Sequence, residues 1–86
     1  MDAPDREIIV YYKPRCPYST RLHLALRLAR VRHTMVRFRD DEPAAAAVRR
    51  HHPHGWELSP TVLIAGQYLT NPSVQQVKAA HARLDG

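Results

Sequence analysis

The spacing of apolar and polar positions changes several times along the chain, and each change marks an element. Ile8 to Tyr12 (IIVYY) is an unbroken β-branched and aromatic run, which predicts a buried strand. Pro14 and Pro17 punctuate the loop after it. From Tyr18 to about Val31 the pattern turns helical. At a period of about 3.6 residues, His23, Arg27 and Arg30 share one narrow polar stripe. Leu22, Leu24, Ala25, Leu26, Leu28 and Ala29 cover the remaining surface, so this helix is expected to face the core on most of its circumference. HTMVRFR then alternates, with Met35, Val36 and Phe38 apolar, and predicts a second strand.

Asp40 or Asp41 is placed to cap a short helix that carries Pro43 in its first turn, runs through the alanines and ends at Pro53. Thr61 to Ile64 and Gln67 to Leu69 read as strands joined by a turn at Ala65-Gly66. Asn71 followed by Pro72 predicts the cap and first position of a last helix, with Val74, Val77, His81 and Leu84 on one face. The order is β-α-β-α-β-β-α. Its first half is a βαβ unit, which requires parallel strands and a right-handed crossover. An α/β fold follows, a four-stranded mixed sheet flanked by helices, with residues 1–86 as a single domain free of repeats or linkers.

A length of 86 residues supports one small core. The 13 Lys+Arg against 8 Asp+Glu leave a net charge of +5, but the arginines are scattered. No basic block or aromatic-interleaved run appears, so no nucleic-acid partner is expected. No apolar run reaches the length of a membrane span, and MDAPDRE is too polar for an export signal. A cytoplasmic monomer without a membrane partner is expected.

Cys16 is the single cysteine, so no internal disulfide exists and the thiol matters through its reactivity. A reducing compartment suits it. It stands between Arg15 and Pro17, after a strand and at the start of a helix. Helix-terminal N–H groups and the macrodipole favour a thiolate there. Lys13, Arg15 and Arg21 add cationic side chains, and such surroundings lower cysteine pKa values. The loop at the carboxyl end of a strand in a parallel unit is also where such sheets bind ligands. A structural cysteine would instead sit inside an apolar run. His51, His52 and His54 are spaced irregularly around Pro53 and read as a solvated helix end, not a metal site. Trp56 reads as a partly buried loop anchor, its alternative being a platform beside the groove for a partner protein.

CPYS after a β-strand, in a chain of this order and length, resembles the glutaredoxin family of thioredoxin-fold thiol–disulfide oxidoreductases. Their motif is C-P-Y-C, or C-x-x-S in monothiol members. Lys13 and Arg21 match basic positions flanking that motif, and SPTV at Ser59 to Val62 falls where the family carries T-V-P-[TS]-V with a cis proline. LTNPS at Leu69 to Ser73 is most similar to mycoredoxins, the actinobacterial branch that works with mycothiol in place of glutathione. The resemblance implies Cys16 as the nucleophile attacking a mixed disulfide, with Pro60 as the cis proline facing it. Ser59 would pair with the thiol ligand through its backbone. Lys13 would contact the ligand and depress the thiol pKa, Tyr18 would form one wall, and Asn71, Pro72 and Ser73 would bind a polar head at the last helix's N-terminus.

Ser19 stands where a second cysteine is usual, and Ser59 where valine is usual, a hydroxyl there being able to hydrogen-bond the sulfur or to alter ligand fit. A dithiol mechanism is excluded for this chain, and the monothiol route remains, with mycothiol or glutathione as co-substrate and thiolated proteins as partners. No permanently bound cofactor or metal is expected. Two alternatives accompany this reading. One is a dithiol enzyme whose resolving cysteine has been replaced by Ser19. The other is a monothiol glutaredoxin that carries a 2Fe–2S cluster between two copies, an activity associated mainly with a C-G-F-S motif. A degenerate module that only binds partners would show an ordinary thiol pKa.

Overall fold

The computed structural model describes residues 7–52, 54–56 and 58–83. Pro53 and Leu84, expected to end the second helix and to complete the last helix's apolar face, lie outside them. The elements are β1 (Ile8–Tyr12), α1 (Pro17–Leu28), β2 (Thr34–Arg37), a 3-10 turn (Phe38–Asp40), α2 (Glu42–His51), β3 (Thr61–Ile64), β4 (Gln67–Thr70) and α3 (Val74–Ala82). They form a four-stranded sheet in the order β2-β1-β3-β4. β1 and β2 run parallel, while β1–β3 and β3–β4 are antiparallel. The expected mixed sheet is therefore present.

Period-two alternation sends β1 side chains to opposite faces. Ile8 and Val10 join Leu22 and Leu26 of α1, Val62 and Ile64 of β3, and Val77 and Ala80 of α3 in one cluster. Tyr11 turns the other way, onto Phe38 of the 3-10 turn and Ala45 and Val48 of α2. The rings of Tyr11 and Phe38 stack at 6.0 Å. Helices thus cover both faces, α1 and α3 on one and α2 on the other.

Phe38, expected in the second strand, instead opens the 3-10 turn, and three further details differ from the sequence expectation. α1 buries only Ser19, Leu22 and Leu26. Leu24 and Leu28 are 51% and 86% exposed, because a helix lying on a flat sheet hides one stripe and not two-thirds of its circumference. It also stops at Leu28, where Arg30 turns left-handed (φ 58°) and the Val31 N–H closes onto the Leu26 carbonyl. Finally, α3 is capped by Ser73, not Asn71. Ser73 Oγ accepts from the Gln76 N–H while Gln76 Oε1 accepts from the Ser73 N–H. That reciprocal pair satisfies two otherwise orphaned donors, more than a lone asparagine can. Asn71 instead adopts φ 45° and donates its N–H to the Pro60 carbonyl at 2.8 Å. Pro72 is buried just before the cap.

The strand register places the site. Tyr11, one residue before the end of β1, pairs with Thr61 at the start of β3, and Thr61 pairs with Thr70 at the end of β4. The loop after β1, the segment before β3 and the segment after β4 therefore meet at one edge of the sheet.

Candidate active site at Cys16

Backbone geometry sets the cysteine first. Arg15 takes a left-handed conformation (φ 63°), which turns the chain so that Cys16 becomes the N-cap residue of α1, with Pro17 at the first helical position. A proline there loses no helical hydrogen bond and has its φ already fixed. Cys16 is half-buried, and its Sγ donates to the Ser59 carbonyl at 3.6 Å. Ser59 precedes Pro60 through a cis peptide bond.

The thiol pKa falls from 9.0 to about 7. Burial alone would raise it. That is outweighed by the Ser19 and Ser59 hydroxyls, which favour the thiolate, and by the backbone N–H groups of Ser19 and Tyr18. The helix-end contribution expected from sequence is thus present as those two N–H groups. The expected contribution of Lys13, Arg15 and Arg21 is not among the causes. All three side chains are exposed, where water screens a cation's field.

Ser19 is 2% exposed, and its Oγ lies 2.6 Å from Ser59 Oγ. Ser59 Oγ also accepts the Lys13 backbone N–H at 2.9 Å. This three-residue link was not legible beforehand. Its only sequence signal is a pair of serines on segments that the sheet brings together.

Residues 8–69 match the glutaredoxin family model. The chain belongs to the glutaredoxin family. Family membership implies thiol–disulfide oxidoreductase activity in general. Solved structures agree on the fold. The thioredoxin-like protein BC3987 matches at a TM-score of 0.63 and 24% identity, over 86% of this chain and 99% of that one. The holo form of glutaredoxin C1 from Populus tremula x tremuloides matches at 0.58 and 20%, over 88% and 74%. At these identities the likeness shows the thioredoxin/glutaredoxin-like fold alone. Compared with curated protein sequences, the chain has no significant match.

In this glutaredoxin the edge that carries Cys16 also carries Tyr18, 57% exposed, beside the thiol in sequence, and the Asn71–Ser73 segment tied to Pro60. Lys13 borders two clefts. One is lined with Arg49, Gly55, Trp56 and Leu58, and the other with Tyr12, Pro14, Phe38, Arg39 and Glu42; Cys16 lines neither. Trp56 is 59% exposed, so the anchor expectation is corrected. Its ring stacks on His52 at 5.4 Å and lies 5.1 Å from His54, which leaves it as a platform beside the Lys13 cleft. His51 packs on Tyr68 instead. Among the described residues no group of three or more His, Cys, Asp or Glu side chains could hold a metal ion, and no helix is long and apolar enough to cross a membrane.

Proposed function

We propose that this chain reduces mixed disulfides between proteins and a small thiol, mycothiol or glutathione, through Cys16 alone. The observation that carries the reading is a thiol of pKa about 7 at a helix N-terminus, facing a cis Ser-Pro segment, with a serine at the position that would hold a second thiol. A pKa near ambient pH is the value at which thiolate fraction and nucleophilicity are best balanced.

The Cys16 thiolate attacks the small thiol's sulfur in the mixed disulfide. The Cys16–small-thiol disulfide forms, the S–S bond to the protein's cysteine sulfur breaks, and the released protein thiolate takes a proton. A second small-thiol molecule, as thiolate, attacks the sulfur attached to Cys16. That returns the Cys16 thiolate and leaves the small thiol as its symmetrical disulfide, so the small thiol supplies both electrons. Ser19 cannot compete, because a hydroxyl forms no disulfide. In this reading Lys13 contacts the small-thiol ligand, Tyr18 walls the groove, and Ser59 pairs with the ligand through its backbone. At the start of α3, the Val74 and Gln75 N–H groups lie beyond the reciprocal cap and offer donors to a polar head. The Asn71-Pro72-Ser73 run is the feature that favours mycothiol. A single copy offers one thiolate, so a 2Fe–2S cluster would need a second copy and external thiols, and no step here passes through one.

The test is turnover of a mycothiolated and a glutathionylated protein by the purified chain, each small thiol in turn as reductant. Turnover with one thiol, abolished by Cys16→Ser, is the expected result. An adduct at Cys16 that forms and is never released, or no adduct at all, would refute the proposal.

A further inference from the structure

Beside the Cys16 sulfur two hydroxyls pack against each other, and their shared hydrogen bond fixes what they can offer the sulfur. Ser59 Oγ accepts from the Lys13 N–H at 2.9 Å and sits 2.6 Å from Ser19 Oγ. Two hydroxyls at that separation are hydrogen-bonded, so one of their two protons lies between them and the other remains. Either orientation is consistent with the geometry. Ser59 can donate to Ser19, leaving the Ser19 O–H outward, or Ser19 can donate to Ser59, leaving the Ser59 O–H outward.

We infer that Ser19 and Ser59 act as one unit that presents a single O–H to the Cys16 thiolate, held in place by the Lys13 backbone N–H. The sulfur needs such a donor once it is deprotonated. As a thiol it donates to the Ser59 carbonyl at 3.6 Å. As a thiolate it has no proton to give, and that carbonyl oxygen becomes a repulsive neighbour. A hydroxyl from the same residue replaces the lost interaction. The pair also explains why a serine can occupy position 19 at 2% exposure. Opposite an apolar side chain at 59, its hydroxyl would lose the bond to Ser59 Oγ, and a bond lost by a buried hydroxyl is destabilising.

With one free proton between them, either serine suffices. Without Ser59, the Ser19 O–H no longer serves Ser59 and turns to the sulfur. Without Ser19, Ser59 stays anchored by Lys13 and its O–H is released to the sulfur. Only loss of both removes the donor.

This inference rests on the reading of Cys16 as a thiolate nucleophile, but its test needs no turnover. The thiol pKa is measured on the full chain by thiolate ultraviolet absorbance and by the pH dependence of iodoacetamide alkylation. Wild type, Ser19→Ala, Ser59→Ala, the double variant, and Ser19→Ala with Ser59→Thr are compared, with circular dichroism and melting to establish folding. Ser19→Ala with Ser59→Val, which fills the space at 59, replaces the double variant if that one does not fold. Each single variant is expected within a few tenths of a pK unit of wild type, while the double rises by about one unit, the loss of one charge-assisted hydrogen bond. Threonine at 59 restores the low value. Equal and additive shifts in the two singles would overturn the shared-proton unit. So would a double variant that melts earlier at an unchanged thiol pKa, since that is a purely structural role. Turnover measured in parallel separates the two claims. A non-additive pattern without turnover refutes the oxidoreductase reading and leaves the pair standing, and turnover with a flat or additive pattern does the reverse.

Discussion

Moving the pH from about 6 to about 8 should raise the alkylation rate of Cys16 roughly tenfold, because only the thiolate reacts. With the thiol pKa at about 7 instead of 9.0, the thiolate fraction climbs from about a tenth to about nine-tenths over that interval. A thiol left at 9.0 would climb roughly a hundredfold, from about a thousandth to about a tenth. The two curves differ in midpoint as well as in steepness, so pseudo-first-order iodoacetamide kinetics at a series of pH values separates them. A midpoint near 9 would refute the assignment of the Ser19, Ser59 and helix-end donors to this sulfur.

The same shift has a stability consequence of definite sign. A folded-state thiol pKa depressed below its unfolded value stabilises the folded chain above the unfolded pKa, and that contribution is lost as pH falls through the folded pKa. Here the window runs from 9.0 down to about 7. Two pK units correspond to an upper figure of about 2–3 kcal/mol, reduced because the sulfur is only half-buried. Melting temperature should therefore rise with pH across that window in the wild type and lose that rise in Cys16→Ser. An identical slope in both proteins would sink the linkage argument.

Arg15→Gly should stabilise the fold by up to about 1 kcal/mol by removing a side chain from a left-handed position, with the Cys16 alkylation midpoint unmoved; a rise of that midpoint would show that the Arg15 charge does hold the thiolate. Leu26→Ala, at a position 0% exposed between α1 and the sheet, should destabilise by about 2–5 kcal/mol in chemical denaturation while leaving the thiol pKa unchanged. His23 Nδ1 lies 2.8 Å from His33 Nε2, and burial, then His33, then Arg27 lower the His23 pKa from 6.5. That base is held neutral by folding, so stability should fall as pH drops below 6.5, and His23→Gln should flatten the acid limb of the melting curve.

Local rules carried much of the fold into the sequence. IIVYY, the Ala65-Gly66 turn and Pro17 after Cys16 each have a short-range cause: a β-branched run, a hairpin turn with positive φ at both residues (52° and 76°), and a ring pre-set for a helix start. The errors arose where a local rule met a competitor. Ser73-Val74-Gln75-Gln76 is itself a capping-box pattern, and two reciprocal hydrogen bonds displaced the simpler Asn-Pro signal at Asn71. Leu24 and Leu28 show that apolar residues on a helix can outnumber the places a sheet can hide them.

The thiol's environment was legible in part: the helix-end donors and a Ser59 hydroxyl at the sulfur follow from the sequence, while the Ser19–Ser59–Lys13 link does not, and the reason is distance along the chain. Charge is visible in any sequence, so Lys13, Arg15 and Arg21 looked like the natural cause of a low pKa. Charges at an exposed surface act through water, whereas a hydroxyl in contact acts directly. The hydroxyls that matter are on Ser19 and Ser59, 40 positions apart, and the antiparallel pairing of β1 with β3 is what brings their segments together. The register that sets Tyr11 opposite Thr61 also places the cis Ser59-Pro60 bond at the mouth of the helix, and the β3–β4 hairpin returns Asn71 to the Pro60 carbonyl. The site is thus a property of strand order. A one-residue slip of β3 against β1 would turn Val62 and Ile64 out of the core, so the packing that stabilises the sheet is also what holds the donors at the sulfur.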